Sequence, residues 1–174
     1  LTDPISITGR ITLNLYISST STDCDIAVRL VDQYPDGTNM LITDGIKRMR
    51  FRNGYTLADE TLMVPGEIYE VQVAMPFTNY TWLPDHKIKI YVSGNSATRW
   101  NTNMQDGGPM YTTVAPVTAT ITIHHDDTHH SKINLPGNNP VLSTAVTDAT
   151  PTFELYPNPA TDQTALGPSP CHHA

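Results

Sequence analysis

The chain has 174 residues, of which 39% are apolar and 16% charged, with a formal net charge of −7. That length suits one domain with its own core, and ten Lys and Arg spread thinly make no basic stripe for phosphates, which excludes nucleic acid as a partner. No apolar run reaches the roughly 20 residues of a membrane-spanning helix, so no membrane span is expected.

The chain opens at Leu1, without Met or an apolar signal segment, and enters a strand pattern almost at once. It is therefore expected to be a piece of a longer precursor. From Ile5, apolar residues fall at Ile7, Ile11, Leu13, Leu15 and Ile17, with Thr12, Asn14 and Tyr16 between them. Period 2 means a strand with one buried and one wet face. Ile26, Val28 and Leu30 repeat the pattern against Asp25, Arg29 and Asp32. Tyr34-Pro35-Asp36-Gly37 closes a turn, because Pro presets φ and Gly accepts φ > 0. A third strand is expected near Ile46 to Phe51, where Met49 and Phe51 alternate with Arg48 and Arg50. Pro65-Gly66 marks another reversal, and Tyr69, Val71, Val73 and Met75 then alternate with Glu70 and Gln72. A loop is expected from Pro76 to Pro84, followed by a strand through Ile88, Ile90 and Val92. The last clear strand places Val117, Ala119, Ile121 and Ile123 inward. About seven or eight half-buried strands, with helical spacing nowhere sustained, predict an all-β fold of two packed antiparallel sheets.

Past Leu135 the pattern changes. Residues 1–136 read as the sandwich, 137–151 as a linker rich in Pro, Thr and Asn, and 152–174 as a short tail. Cys24 lies in the strand region and Cys171 in that tail. Pairing of the two is poorly motivated, since Cys171 has no apolar anchor beside it, and Cys24 reads as a small buried thiol.

A set of segments in one order carries a family likeness. Asp23-Cys24-Asp25-Ile26-Ala27-Val28-Arg29-Leu30-Val31-Asp32, Tyr34-Pro35-Asp36-Gly37 and Gly45-Ile46-Lys47-Arg48-Met49-Arg50-Phe51-Arg52 come first. Leu83-Pro84-Asp85-His86-Lys87-Ile88-Lys89-Ile90, Trp100-Asn101-Thr102-Asn103, His124-His125-Asp126 and Ser131-Lys132-Ile133-Asn134-Leu135-Pro136 follow. Together they resemble the C-terminal domain of the X-Pro dipeptidyl-peptidase and cocaine esterase family of serine hydrolases. The resemblance implies a jelly-roll, galactose-binding-like β-sandwich appended to an α/β-hydrolase domain. That catalytic domain would precede Leu1, carry the Ser, Asp and His of the triad, and cleave esters or amides. Two departures stand out: Asp85 replaces a usual Gly, and Asn95 to Arg99 lacks a Pro-Arg step. A second likeness is shorter. Leu155-Tyr156-Pro157-Asn158-Pro159 resembles the opening of a type IX secretion sorting domain, which implies a secreted or cell-surface bacterial parent of Bacteroidetes type.

The residues themselves supply no catalytic set. There is no Gly-x-Ser-x-Gly elbow, and the neighbours Asp85 and His86 are no base and orienter facing each other across a site. No catalytic residue, cofactor or required metal is expected in this chain. The run from His124 to His130 has the imidazole and carboxylate density of a zinc or nickel site. It also falls at an ordinary turn, with His125 and Asp126 capping it and Thr128 to His130 leading to the next strand, and that is the expectation adopted. Asp23, Asp25, Asp32 and Asp36 lack the loop spacing of a calcium site. Tyr80, Trp82, Trp100 and Tyr111 lie in or beside predicted loops. Trp82, Trp100, Asn101, Asn103 and Tyr111 are the candidates for ligand or interdomain contact. The leading expectation is an accessory domain packed on the hydrolase domain, shaping substrate access. The alternative is a carbohydrate-binding module of a secreted polysaccharide-degrading enzyme, since the two share a fold.

Overall fold

The computed structural model describes residues 1–97, 99–112 and 115–137. Its strands are β1 (Ile5–Ser19), β2 (Asp25–Gln33), β3 (Asn39–Arg48), β4 (Tyr69–Trp82), β5 (Lys87–Ser93), β6 (Ile121–His124) and β7 (Lys132–Asn134). One sheet has the order β4-β1-β6, with β7 also on β1, and the other the order β3-β2-β5. Every pairing is antiparallel. The expected all-β sandwich is therefore present. Except for Gly137, the linker and sorting-segment readings for 137–174 lie outside the described residues, as does Cys171.

The period-2 residues build the core. Ile7, Ile11, Leu13, Leu15 and Ile17 of β1 meet Ile26, Val28 and Leu30 of β2 and Val71, Val73 and Met75 of β4, all buried. β1 is the spine of its sheet, with β4 along one edge and β6 and β7 end to end along the other. β6 and β7 run in the same direction. The His-rich stretch between them is thus an excursion from an edge, not a hairpin turn. Ser131 stitches the gap: its Oγ accepts from Tyr16 N–H at 3.1 Å and donates to His124 C=O at 2.7 Å.

Four expectations need correction. β4 runs through Pro76 to Trp82 instead of ending in a loop. The register moves from Arg10↔Phe77 to Thr12↔Ala74, so Met75 and Pro76 bulge opposite Ile11, a place where a residue without an N–H is tolerated. β3 ends at Arg48, and Met49–Phe51 form a 3-10 turn. Val117 to Ala119 are not in a strand, because the β1–β6 ladder ends at Ser19↔Ile121. Val117 N–H instead reaches Met104 C=O at 2.8 Å. Finally, Asp25 and Asp32 are buried, not wet. β2 is the central strand of its sheet, and both carboxylates are spent on partners described below.

Asp85 closes a tight turn. His86 N–H bonds Leu83 C=O at 3.2 Å, Pro84 precedes, and Asp85 has φ 65°. Pro followed by positive φ is the type II pattern, in which Gly or Asn normally takes the second central place.

β3 and β4 lie close together at Gly45, where an added Cβ would lie 2.8 Å from Ala74 O and 3.1 Å from Met75 Cγ. The first of these is backbone and cannot swing away. Gly45→Ala is therefore expected to destabilise the domain by about 1–3 kcal/mol, the usual cost of overpacking, read from urea unfolding. An unchanged midpoint would show that the two strands separate freely at this point.

Candidate functional site

The register of β2 and β3 sets two acids opposite two bases. Asp23 and Asp25 flank Cys24 at the entry to β2, and Arg48 and Arg50 flank Met49 where β3 ends. Asp25 and Arg48 are cross-strand partners. Alternation sends Cys24 and Met49 into the core and the four charged groups to the other side. Arg48 forks onto Asp25, with Nε to Oδ1 at 2.8 Å and Nη2 to Oδ2 at 2.9 Å. The 3-10 turn carries Arg50 to Asp23, whose Oδ1 accepts from the Arg50 backbone N–H at 3.0 Å and whose Oδ2 accepts from Nε at 2.7 Å. Arg50 Nη1 also donates to Glu60 Oε1 at 2.8 Å and to Gly108 C=O at 2.9 Å.

Asn103 closes this cluster. Its Nδ2 donates to Asp23 Oδ2 at 2.9 Å and Asp25 Oδ1 at 3.0 Å, while its Oδ1 accepts from Gln105 N–H at 2.9 Å. The loop around it is held against the start of β2. Ser21 Oγ donates to Gln105 C=O. Gly107, at φ 73°, sits where a Cβ would come within 2.6 Å of Thr22 Oγ1. Asp23 is fully buried, and Asp25, Arg50 and Asn103 nearly so. The hydrogen bond to Asp25 raises the Arg48 pKa above its usual value. Burial, with Asp23 and Asp25 adding their charge, pushes the Cys24 thiol up to about 12. This keeps it an inert core thiol, 3.8 Å from Met63 Sδ.

Above the cluster the same loop forms an open cleft of about 430 Å³ with the outer side of β3. Ile46, Phe51, Tyr55, Leu57, Trp100 and Tyr111 are its main apolar walls. Tyr55, Leu57 and Tyr111 are 84%, 78% and 78% exposed. Tyr111 has φ 66°, an unusual backbone state for a bulky residue. Lys47 Nζ lies 3.9 Å from the Tyr55 ring centroid, and the Arg99 guanidinium lies 5.0 Å from that of Trp100. Of the residues singled out in the sequence, Trp100, Asn101 and Tyr111 meet at this cleft and Asn103 lies beneath it. Tyr55, Leu57, Phe51 and Arg48 were missed. Tyr55 and Leu57 carried a signal, as apolar residues after Asn53-Gly54 in a stretch without alternation.

The other candidates have structural partners. Asp32 Oδ2 accepts from Tyr80 OH at 2.8 Å, and His86 Nδ1 lies 2.8 Å from the same oxygen. Tyr80 belongs to β4 and His86 leads into β5, so this buried carboxylate ties the two sheets together. Burial, then the bond to Asp32, raises the Tyr80 pKa well above the usual phenol range. In the His-rich excursion, Asp126 Oδ1 accepts from the backbone N–H of Thr128 and of His129, each at 2.9 Å. Bonds from Thr128, then from His129, hold the Asp126 carboxyl far below its usual range. His124 Nε2 lies 2.9 Å from Ser18 Oγ. Asp36 Oδ1 accepts from Thr38 N–H at 2.8 Å. Among the described residues, no three His, Cys, Asp or Glu side chains converge to hold a metal.

Trp82 is not part of the cleft. It is the last residue of β4 rather than a loop residue, 0% exposed, with its ring 5.0 Å from that of Tyr80 in a T-shaped contact. Its Nε1 is buried without a hydrogen-bond partner among the described residues. Trp82→Ala should cost about 3–5 kcal/mol in urea unfolding, as for other large core deletions. Trp82→Phe keeps most of the packing and removes the unpaired N–H, and should cost well under half of that. Equal losses for the two would show that the indole N–H, and not ring volume, is what matters there.

Comparison with known proteins places this geometry in a family. Residues 1–134 match the model of the X-Pro dipeptidyl-peptidase C-terminal non-catalytic domain. Cocaine esterase of Rhodococcus sp. (strain MB1 Bresler) is 39% identical over 138 residues, covering 78% of this chain and 24% of the esterase. An α-amino acid ester hydrolase structure superposes with a TM-score of 0.73 at 23% identity, over 79% of this chain and 24% of that one. An aminopeptidase from a marine sediment archaeon, Thaumarchaeota archaeon, gives a TM-score of 0.72 at 22% identity, over 78% and 24%. The chain spans about a quarter of the length of these relatives. It belongs to the family of X-Pro dipeptidyl-peptidase C-terminal non-catalytic domains.

Proposed function

We propose that this domain is the accessory β-sandwich of a serine hydrolase that cleaves esters or amides, and that it packs on the α/β-hydrolase domain and shapes substrate access. The observation that carries the reading is the family match over residues 1–134, together with the esterase relative that continues far beyond the matched segment. The side chains agree with an accessory role. His86 with Asp32, and His129 with Asp126, each resemble half of a triad. The group that joins the first pair is the Tyr80 phenol, whose proton is spent on Asp32, and the hydroxyl that joins the second is that of Thr128, which donates to Asp126. A phenol held well above its usual pKa is a poor nucleophile at neutral pH. Secretion of the parent belongs to the same proposal and is supported by the Leu155–Pro159 likeness alone.

The test compares the 174-residue chain with the longer polypeptide that carries it. p-Nitrophenyl acetate and a Pro-containing aminoacyl substrate are supplied to both. The longer polypeptide is expected to turn over at least one of them and to be silenced by a serine-directed inhibitor. The chain alone is expected to stay at the buffer rate. Inhibitor-sensitive turnover by the chain alone would overturn the accessory reading, as would a longer polypeptide with no such activity.

A further inference from the structure

The cleft bounded by Ile46, Phe51, Tyr55, Leu57, Trp100 and Tyr111 combines features that rarely coincide on the free surface of a domain. Its apolar side chains line one cleft, whereas exposed Phe77, Leu83 and Val117 are not among its walls. Single exposed apolar residues need no explanation, but a continuous apolar patch marks a contact surface. Arg48 on its wall and Arg99 beside Trp100 are already paired, with Asp25 and Asp44, and Lys47 is buried against the Tyr55 ring, so the cleft offers apolar area rather than free charge. Tyr, Trp and Arg are the types that dominate the energetic centres of protein interfaces. The floor is rigid, because Asn103 and the two Asp–Arg pairs beneath are nearly buried and mutually satisfied.

The same geometry argues against a sugar as the occupant. A saccharide needs free polar groups beside an open ring. Arg48 is committed to Asp25 and to Asn101 C=O at 3.2 Å, and the Asn103 amide to both aspartates. The Tyr55 and Trp100 rings each have one face held by a cation. What remains to be covered is apolar area. The esterase relative has about three quarters of its length outside the matched segment, enough to supply a large partner in the same polypeptide.

We infer that this cleft is the face on which the hydrolase domain of the same polypeptide docks, inserting apolar side chains between Tyr55, Leu57 and Tyr111. The inference rests on the accessory-domain reading above and adds the surface that performs it. Loop residues 100–111 then become the part of this domain nearest to its partner, pinned from below by the aspartates of β2.

Amide hydrogen exchange followed by mass spectrometry tests it, on the longer polypeptide and on the 174-residue chain. Segments 46–57 and 99–111 are expected to exchange at least about tenfold more slowly in the longer polypeptide. Leu57→Asp is expected to abolish that difference while leaving the melting temperature of the 174-residue chain unchanged. Slowing confined to another surface, such as that around Phe77 and Leu83, in a polypeptide that hydrolyses esters would overturn the docking face and leave the accessory function standing. A longer polypeptide without inhibitor-sensitive hydrolysis would overturn the function first, and the docking face with it. Saturable quenching of Trp fluorescence by xylo- or cello-oligosaccharides, lost in Trp100→Ala, would overturn the inference in favour of carbohydrate binding.

Discussion

Two carboxylates inside a β-sandwich are tolerable only if cations and amides meet them there. Asp23 and Asp25 are met by Arg50, Arg48 and Asn103, at distances of 2.7–3.0 Å. Stripping one partner from such a cluster leaves a buried charge uncompensated, at a cost of about 3–5 kcal/mol. The same bonds decide the shape of the surface. They stop β3 at Arg48, turn the chain through Met49–Phe51 and press the loop carrying Asn103 onto the sheet. The cleft exists because that loop is pinned. Net stabilisation from such a cluster, relative to an apolar replacement, is often small. Its contribution here is a defined loop position.

Much of this fold is legible in residue order. Strict alternation in β1, β2 and the first half of β4 names the core residues, because each of those strands has a face turned to the opposite sheet. Alternation misleads where a strand is central or bulged. Asp25 looks like a wet-face residue until the loop carrying Asn103 covers it, and Asp32 shares the core-facing side of β2 with Ile26, Val28 and Leu30, where Tyr80 of the other sheet meets it. Pro76 looks like a loop marker until the bulge opposite Ile11 excuses its missing N–H. The pattern Asp-x-Asp in one strand and Arg-x-Arg in the next was available as a cross-strand signal. Reading it required the β2–β3 register, which the hairpin at Tyr34 to Gly37 fixes.

The candidate site was legible in part. Trp100, Asn101, Asn103 and Tyr111 read as loop residues of interest, and they gather beside Arg48. Trp82 reads as one of them because Pro76 and Pro84 suggest a loop, and the structure puts it in the core instead. Tyr55 and Leu57 could not be joined to Tyr111 from sequence, since more than fifty positions separate them and no periodic element connects them.

The claim at the centre of this account is that the buried acids and bases act as one unit holding the loop. A double-mutant cycle on Asp23→Ala and Arg50→Ala, measured by urea unfolding, tests it most directly. Each single change is expected to cost about 3–5 kcal/mol. The pair together should cost less than the sum, by a coupling of roughly 1.5–3 kcal/mol. Single costs below about 0.5 kcal/mol that simply add would contradict the account, because each group would then be indifferent to the loss of the other.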